Sequence, residues 1–491
     1  MSNNNKFRIR SIKENILLNI LYTFTNILFP LITYMYVLRV LSVEAMGCIA
    51  FYTSTTSYAT MLAALGITTY GIRAVAKVRD DKEKLEQVIS ELLALNYIAT
   101  VVVILCYILL VLTVHKFGRD IVLALFNGLI IITTPLGLGW LFSGLEQYEY
   151  ITKRTLLVKT ISLFLILLFV KTEVDYYIYA VILMISSVGT FFLNYFYARK
   201  ITHFHFHETP NFSRHLKPML VLFGSALAVS VYFNLDTIML GFIKDDWEVG
   251  IYTTAVRVKT VLLELINAIS VVLLPRLSFY LSKGANESYR AVVKKSMAII
   301  FVISIPMTLF FIIESMPCVL ILGGNEYAAS SNTMKILMPI LVVSGFSNVL
   351  GNQILIPSGR ENCFLKAVIF GAVIDLIFNF LLMPKYGSVG AAIATLIAEV
   401  TQMSIQTYYS FGALKNNINW SSIIKACIAT MAGSVVIMIF GMYAGFGNII
   451  QITLMAIVFF VIYGVLLLVL KEQYSKELVN DFIVRFKQKK Q

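Results

Sequence analysis

Charge is what this 491-residue chain has least of: Asp, Glu, Lys and Arg together make up 14% of it. An ordinary soluble domain carries about a quarter. Cysteine is sparse as well. The five, Cys48, Cys106, Cys318, Cys363 and Cys427, form no CxxC or other ligand spacing, so neither a disulfide framework nor a structural zinc site is implied. They read as small packing residues. No GxxxxGK[ST] loop occurs, which excludes an ATPase carried on this chain. No loop is long enough for a soluble domain. The longest on the expected outer side, about 314–328, is too short for the large external loop of a membrane glycan polymerase or ligase. No A-x-A-like cleavage site follows the basic start MSNNNKFRIRSIKEN, so the first apolar run reads as an uncleaved span rather than a signal peptide.

What is present is apolar. Hydrophobic residues make up 58% of the chain, and mean hydropathy is +0.80. These values exclude a soluble globular protein, a disordered chain and a coiled coil. They leave an all-α polytopic membrane protein. A span needs about 20 mostly apolar residues. Fourteen runs qualify: 14–38, 47–70, 89–113, 121–141, 155–171, 177–198, 217–241, 249–274, 295–313, 329–355, 364–383, 388–411, 422–443 and 448–470.

The net charge of +13 fits a membrane better than a nucleic acid, for which no motif is found. With the N-terminus inside, 30 of the 40 Lys and Arg fall on inner segments and six on outer loops. That asymmetry follows the positive-inside rule and predicts both termini in the cytoplasm.

The chain also repeats itself. Ser143-Gly144-Leu145-Glu146 closes the fourth run and Ser358-Gly359-Arg360-Glu361 the tenth; VEAMGCIAFYTS and WEVGIYTTA open the second and eighth. Two six-helix halves in parallel orientation follow, an arrangement that puts the site between repeats. The expected division is 1–200, a cytoplasmic linker 201–216, 217–411, and a remainder 412–491 with two further spans and a basic tail. His203, His205 and His207 alternate in the linker. They could meet a metal on one side of a strand, but a solvated basic linker is the simpler reading, and no metal or cofactor is assigned.

Polar groups inside spans face the bundle interior or water. Asn15, Asn19, Tyr22, Asn26 and Thr33 share one stripe, and Thr53, Thr56, Ser57 and Thr60 another. Thr253, Arg257, Thr260, Glu264 and Asn267 form a third; Ser344, Ser347, Asn348, Gly351 and Asn352 a fourth; Thr395, Glu399, Gln402 and Gln406 a fifth. Each could be glue between helices or the wall of a hydrated cavity. Arg257 is the sharpest residue, because a guanidinium fork two turns into a span suits phosphate oxygens. An ion pair with Glu264 is the structural alternative. Asp236, Asp375 and Glu399 are candidates for a coupling cation, or partners for nearby bases. Lys159 and Lys335 lie near span ends and can snorkel.

Several blocks, PLITYMYVLRVLSVEAMG, LAALGITTYGIRAVAKVRDD, VYFNLDTIMLG, VGIYTTAVRVKTVLLELINAISVVLLPRLS, LIPSGRENCFLKAV and LMPKYGSVGAAIATLIAEV, resemble in collinear order the bacterial polysaccharide-unit flippases of the Wzx type. These belong to the multidrug/oligosaccharidyl-lipid/polysaccharide exporter superfamily. The resemblance implies two six-helix lobes around a central cavity. It also implies translocation of an undecaprenyl-diphosphate-linked oligosaccharide across the cytoplasmic membrane, without catalysis and by alternating access. Polysaccharide polymerase and chain-length machinery are the partners it implies. Carried over by position, Arg257 and Arg39 would meet the diphosphate, with Asn19, Asn26, Thr260, Glu264, Asn348 and Asn352 beside them. Span 1 lacks Arg before Arg39, which departs from lipid II flippases. A cation-coupled drug antiporter of the same superfamily and a membrane polymerase are the rival readings.

Overall fold

A computed structural model describes residues 12–202, 211–283, 285–414, 418–443 and 447–477. His203, His205 and His207 lie outside the described residues. Contacts divide the chain into two units, Met1–Phe242 and Ile243–Gln491.

The first unit holds α1 (Ile12–Val37), α2 (Val43–Ala64), α3 (Ile67–Val78), α4 (Lys82–Thr113), α5 (His115–Gly118), α6 (Ile121–Thr133), α7 (Gly139–Gly144), α8 (Tyr148–Phe169), α9 (Tyr176–Ile201) and nearly all of α10 (Ser213–Ile243). Short polar side chains start several of these. Ser42 accepts from the Ala45 amide at 3.3 Å, Asp81 from Lys84 at 3.2 Å and Asp120 from Leu123 at 3.1 Å, each satisfying an orphan donor of the first turn. The second apolar run does not cross as one rod. It breaks at Leu65 and Gly66, both left-handed, and Gly66 sits so close to α10 that a Cβ would lie 2.5 Å from the Met219 carbonyl oxygen. Only glycine tolerates both conditions. Tyr58 donates to the Ser230 carbonyl at 3.0 Å, and the Phe51 and Phe242 rings stand 5.4 Å apart. These contacts group α10 with the first unit, although the sequence division assigns it to the second half.

The core of this unit gathers at one end of the bundle, where Leu85, Ile89 and Leu92 of α4 pack with Trp140, Leu141 and Phe142 of α7. Beside it, the Glu91 carboxylate is buried and collects five donors. Arg214 reaches one oxygen at 2.6 and 2.9 Å and His215 the same oxygen at 2.7 Å. Gln87 and the Asn211 amide meet the other at 3.0 and 3.1 Å. Tyr70 hydroxyl bonds the second imidazole nitrogen of His215 at 2.8 Å. The start of α10 is thereby tied to α3 and α4. Farther along α4 the pattern inverts: Val101, Val102, Leu105, Leu109 and Leu112 are 55–77% exposed. An apolar face of this extent belongs against lipid rather than water.

The second unit holds α11 (Asp246–Ser282), α12 (Asn286–Ile313), α13 (Ser315–Gly323), α14 (Ser330–Leu337), α15 (Ile340–Asn348), a π-helical stretch Val349–Leu355, α16 (Glu361–Leu414), α17 (Trp420–Tyr443) and α18 (Asn448–Val469). The 54 residues of α16 are two helices joined at Gly387, whose φ of 56° and contact with the Glu248 carboxylate leave no room for a side chain. Glu248 in turn accepts from the Ser388 amide at 2.7 Å. The last two helices pack on α12 through Phe310, Ile437, Met455 and Phe459. Glu472, fully buried, closes their end by accepting from Ser422 at 2.7 Å and the Ser475 amide at 2.6 Å.

All fourteen apolar runs fall on helical segments. Among the described residues, nine helical stretches are long and apolar enough to cross a membrane, α16 being counted once. The class is therefore an all-α multi-pass membrane protein; the tally of fourteen spans stays an expectation.

Candidate functional site

Two cavities adjoin inside the first unit, and Ser57, Thr60 and Phe191 line both. The smaller, about 320 Å³, is walled by Thr53 and Thr56 of α2, Asn127 of α6 and Ser186 and Ser187 of α9. The larger, about 570 Å³, is reached by Tyr22 of α1, Asn96 of α4, Trp140 of α7, Arg154 of α8 and Thr190 and Asn194 of α9. Along α9, Ser186 and Asn194 are eight residues apart, roughly 12 Å at 1.5 Å per residue. The cavities are thus stacked along the helices rather than side by side.

Arg154 gives the larger cavity its sign. Its Nη1 donates to Asn194 Oδ1, and Asn194 Nδ2 donates in turn to the Gly137 carbonyl. Nη2 donates to Thr155 at 3.2 Å. The guanidinium carbon stands 5.7 Å from the centre of the Tyr150 ring, within cation–π range, and Nε is buried with no hydrogen-bond partner. Among the described residues no carboxylate lines either cavity. A fixed guanidinium lining a space without acids suits an anion with several oxygens.

The residues singled out in the sequence are distributed as follows. In the first unit, Tyr22 lines the larger cavity, whereas Asn26 accepts from Lys159 Nζ at 2.6 Å; that lysine is held by α1. The side chain of Asn19 is outside what is described. Arg39 is exposed in the turn after α1, and Asp236 is buried in α10. In the second unit, Arg257 is half-buried on α11, and Thr260 and Glu264 are exposed on the same helix, the Thr260 hydroxyl donating to its own helix at Val256. Asn348 donates to Asn267 at 3.0 Å, Ser347 to Gln406 at 2.8 Å and Gln402 to Ser347 at 3.3 Å. Three stripes therefore meet there and bond one another as helix glue, leaving Asn348 Oδ1, Gln402 Oε1 and Gln406 Nε2 buried without a partner. Asn352 is half-buried in the π-helical stretch, Asp375 is buried and accepts from Asn379 at 3.1 Å, and Glu399 is buried. The α2 stripe, by contrast, faces a cavity.

Sequence reasoning missed Arg154. The apolar run starting at 155 leaves it on an inner loop, but α8 begins at Tyr148 and carries it into the bundle. The polar series Ser186, Thr190 and Asn194 recurs every four residues and was a readable stripe. Asn127 stands alone among apolar neighbours in its run and gave no periodic signal.

Comparison with known proteins agrees with this architecture. The family model described as polysaccharide biosynthesis protein matches residues 12–281, more than half of the chain, and the MatE model matches 222–381. A protein of Escherichia coli (strain K12) named "Putative O-antigen transporter" is 25% identical over 410 residues, 81% of this chain and 96% of its own. The capsular polysaccharide biosynthesis protein CapF of Staphylococcus aureus is 25% identical over 235 residues, 47% of this chain and 58% of its own. Among solved structures, the lipid II flippase MurJ in an inward closed conformation superposes with a TM-score of 0.76 over 94% of this chain and 100% of its own, at 14% identity. An inward-facing multidrug transporter of the MATE family gives 0.64 over 82% and 99%, at 13% identity. At such identities the structures establish the fold alone. With the family model spanning both cavities, the chain belongs to the polysaccharide biosynthesis protein family.

Proposed function

We propose that the protein is a flippase that carries an undecaprenyl-diphosphate-linked oligosaccharide from the inner to the outer leaflet of the bacterial cytoplasmic membrane, by alternating access and without catalysis. The observation that carries this reading is Arg154: a guanidinium lining a polar, acid-free cavity within an apolar helical bundle. A charged headgroup needs such a wet and cationic path, while its lipid tail stays in the bilayer. The names of the Escherichia coli and Staphylococcus aureus relatives support a glycan as cargo.

Arg257, in the second unit, is proposed independently of Arg154 as a diphosphate contact, and Arg39 as a weaker one at the membrane edge. Asn19, Asn26, Thr260, Glu264, Asn348 and Asn352 remain proposed wall residues, although Asn26 and Asn348 already bond to neighbours. Asp236, Asp375 and Glu399, all buried, are the candidates for a coupling cation. The same acids favour the second reading, a cation-coupled antiporter, whose ligand would be a cation and would not need Arg154.

The test is depletion of the protein in cells, with an impermeant probe reporting which leaflet holds the lipid-linked oligosaccharide. Accumulation on the inner leaflet, reversed by the wild type and not by Arg154→Gln or Arg257→Ala, is expected. Accumulation that both variants relieve would remove these two residues from the site and leave the function. No accumulation would favour the antiporter, and complete units stranded on the outer leaflet a polymerase.

A further inference from the structure

The smaller cavity has a chemistry of its own. It is walled by hydroxyls from two helices and one amide, without a charged group among its described lining. Four of its six hydroxyls, those of Thr56, Ser57, Thr60 and Ser187, already have a protein acceptor for their proton. Ser57 donates to the Thr53 carbonyl at 2.9 Å, Thr60 to Thr56 at 2.9 Å, and Ser187 to Leu183 at 3.1 Å. Thr56 has Asn127 Oδ1 at 2.6 Å and the Tyr52 carbonyl at 2.8 Å. A hydroxyl has one proton and two lone pairs, so with the proton turned back to its own helix or a neighbour, lone pairs are what these four offer the cavity. Asn127 uses one amide N–H on the Leu123 carbonyl at 2.7 Å and keeps a second. The wall therefore offers more acceptors than donors.

That polarity sorts ligands. An ionised phosphate or carboxylate is an acceptor only and would face lone pairs with little to receive it. A sugar hydroxyl can donate into them. A cation would also suit acceptors, but no carboxylate is there to neutralise it, and Arg154 in the adjoining cavity would repel it. Phe191, which lines both cavities, offers an apolar surface to the ring face of a sugar.

We infer that the smaller cavity is a subsite for an uncharged sugar of the cargo, next to the Arg154 cavity that takes its phosphate, and that it discriminates against acidic sugars. This rests on the transport reading and extends it to substrate class: the sugar attached to the carrier phosphate is neutral.

The experiment uses the full chain purified in detergent and three synthetic probes measured by native mass spectrometry. These are a short prenyl diphosphate, the same carrier bearing N-acetylglucosamine, and the same carrier bearing glucuronic acid. The neutral sugar should strengthen binding about tenfold over the bare diphosphate, as one or two neutral hydrogen bonds supply, and the acidic sugar should not. Thr53→Val, Thr56→Val and Ser187→Ala together, none of which lines the Arg154 cavity, should abolish the advantage and leave binding of the bare diphosphate unchanged. Equal binding of both sugars, or an advantage that survives the triple variant, overturns the inference while the transport reading stands. A wild type that binds no probe overturns both. Displacement of the sugar probe by tetraphenylphosphonium would also overturn it, in favour of a cation site. Because the bare diphosphate reports Arg154 independently, a misfolded triple variant is recognised by loss of that binding, and Ser187→Ala alone then decides the matter by lowering the sugar advantage or not.

Discussion

Glu91→Gln should loosen the first unit more than any other one-atom change in it. The carboxylate is buried and receives Arg214, His215, Gln87 and the Asn211 amide at 2.6–3.1 Å. A glutamine has the same shape, but one of its two ends is an NH₂ that must face a donor. If it turns the amide toward Arg214 and His215, two or three donors lose their acceptor; if toward Gln87 and Asn211, those two do. Breaking a buried ion pair by removing one partner costs about 3–5 kcal/mol. Arg214 is 40% exposed and recovers part of its solvation from water, so roughly 2–3 kcal/mol is the fair expectation. At about 2–4 °C per kcal/mol for a body of this size, the unfolding midpoint of the purified protein should fall by roughly 4–12 °C. Intrinsic tryptophan fluorescence suits the measurement, because Trp140 packs in the same cluster as residues flanking Glu91. Arg214→Gln, which leaves His215 and two further donors on Glu91, should cost clearly less. Equal losses for the two variants, or a shift under about 2 °C for Glu91→Gln, would show that the carboxylate does not anchor α10 as argued.

Four further outcomes follow from the same geometry. His215 is held below its ordinary imidazole value, by burial and by Arg214, which together outweigh the raising effect of Glu91; the folded chain thus binds fewer protons here than the unfolded chain, so this contribution is present above about pH 6.5 and is lost as the pH falls. The midpoint should drop between pH 7.5 and 5.5, and by less in His215→Gln; identical slopes would refute it. Glu472 is also held low, since hydrogen bonds from Ser422 and Ser475 outweigh a burial that alone would raise it; its contribution is present above about pH 4.5 and fades below, and Glu472→Gln should flatten the acid limb of a stability–pH curve by about 1–2 kcal/mol. Gly66→Ala must hold alanine at a φ of 80° and a Cβ against the Met219 carbonyl, so a loss above the roughly 1–2 kcal/mol of left-handed backbone alone is expected in thermal unfolding, and a neutral result would mean that α10 yields there. Arg154→Lys keeps the charge but not the fork; it should restore less than half of the flipping lost in Arg154→Gln, and full rescue in the leaflet assay would show that charge alone suffices.

The class was legible because it follows from composition: so few charges over fourteen long apolar runs admit one solvent. Helix ends were less so. The second run looked continuous until Leu65 and Gly66 turned left-handed beneath α10, a break set by a neighbour 150 residues away. The stripes marked the right side of several helices, yet periodicity is blind to what stands opposite. Thr53, Thr56, Ser57 and Thr60 face a cavity, while Asn267, Ser347, Asn348, Gln402 and Gln406 face one another, and nothing in the spacing separates these fates. Arg154 escaped for a further reason. A count of basic residues treats every Lys and Arg just outside an apolar run as topology, but a helix need not end where its apolar run ends. In α8 it starts seven residues earlier, enough for two turns to bring a loop-like arginine onto the cavity wall. Positive-inside charge and substrate charge are drawn from the same residues, so a basic residue within two turns of a run should be phased on the extended helix before it is assigned to the loop.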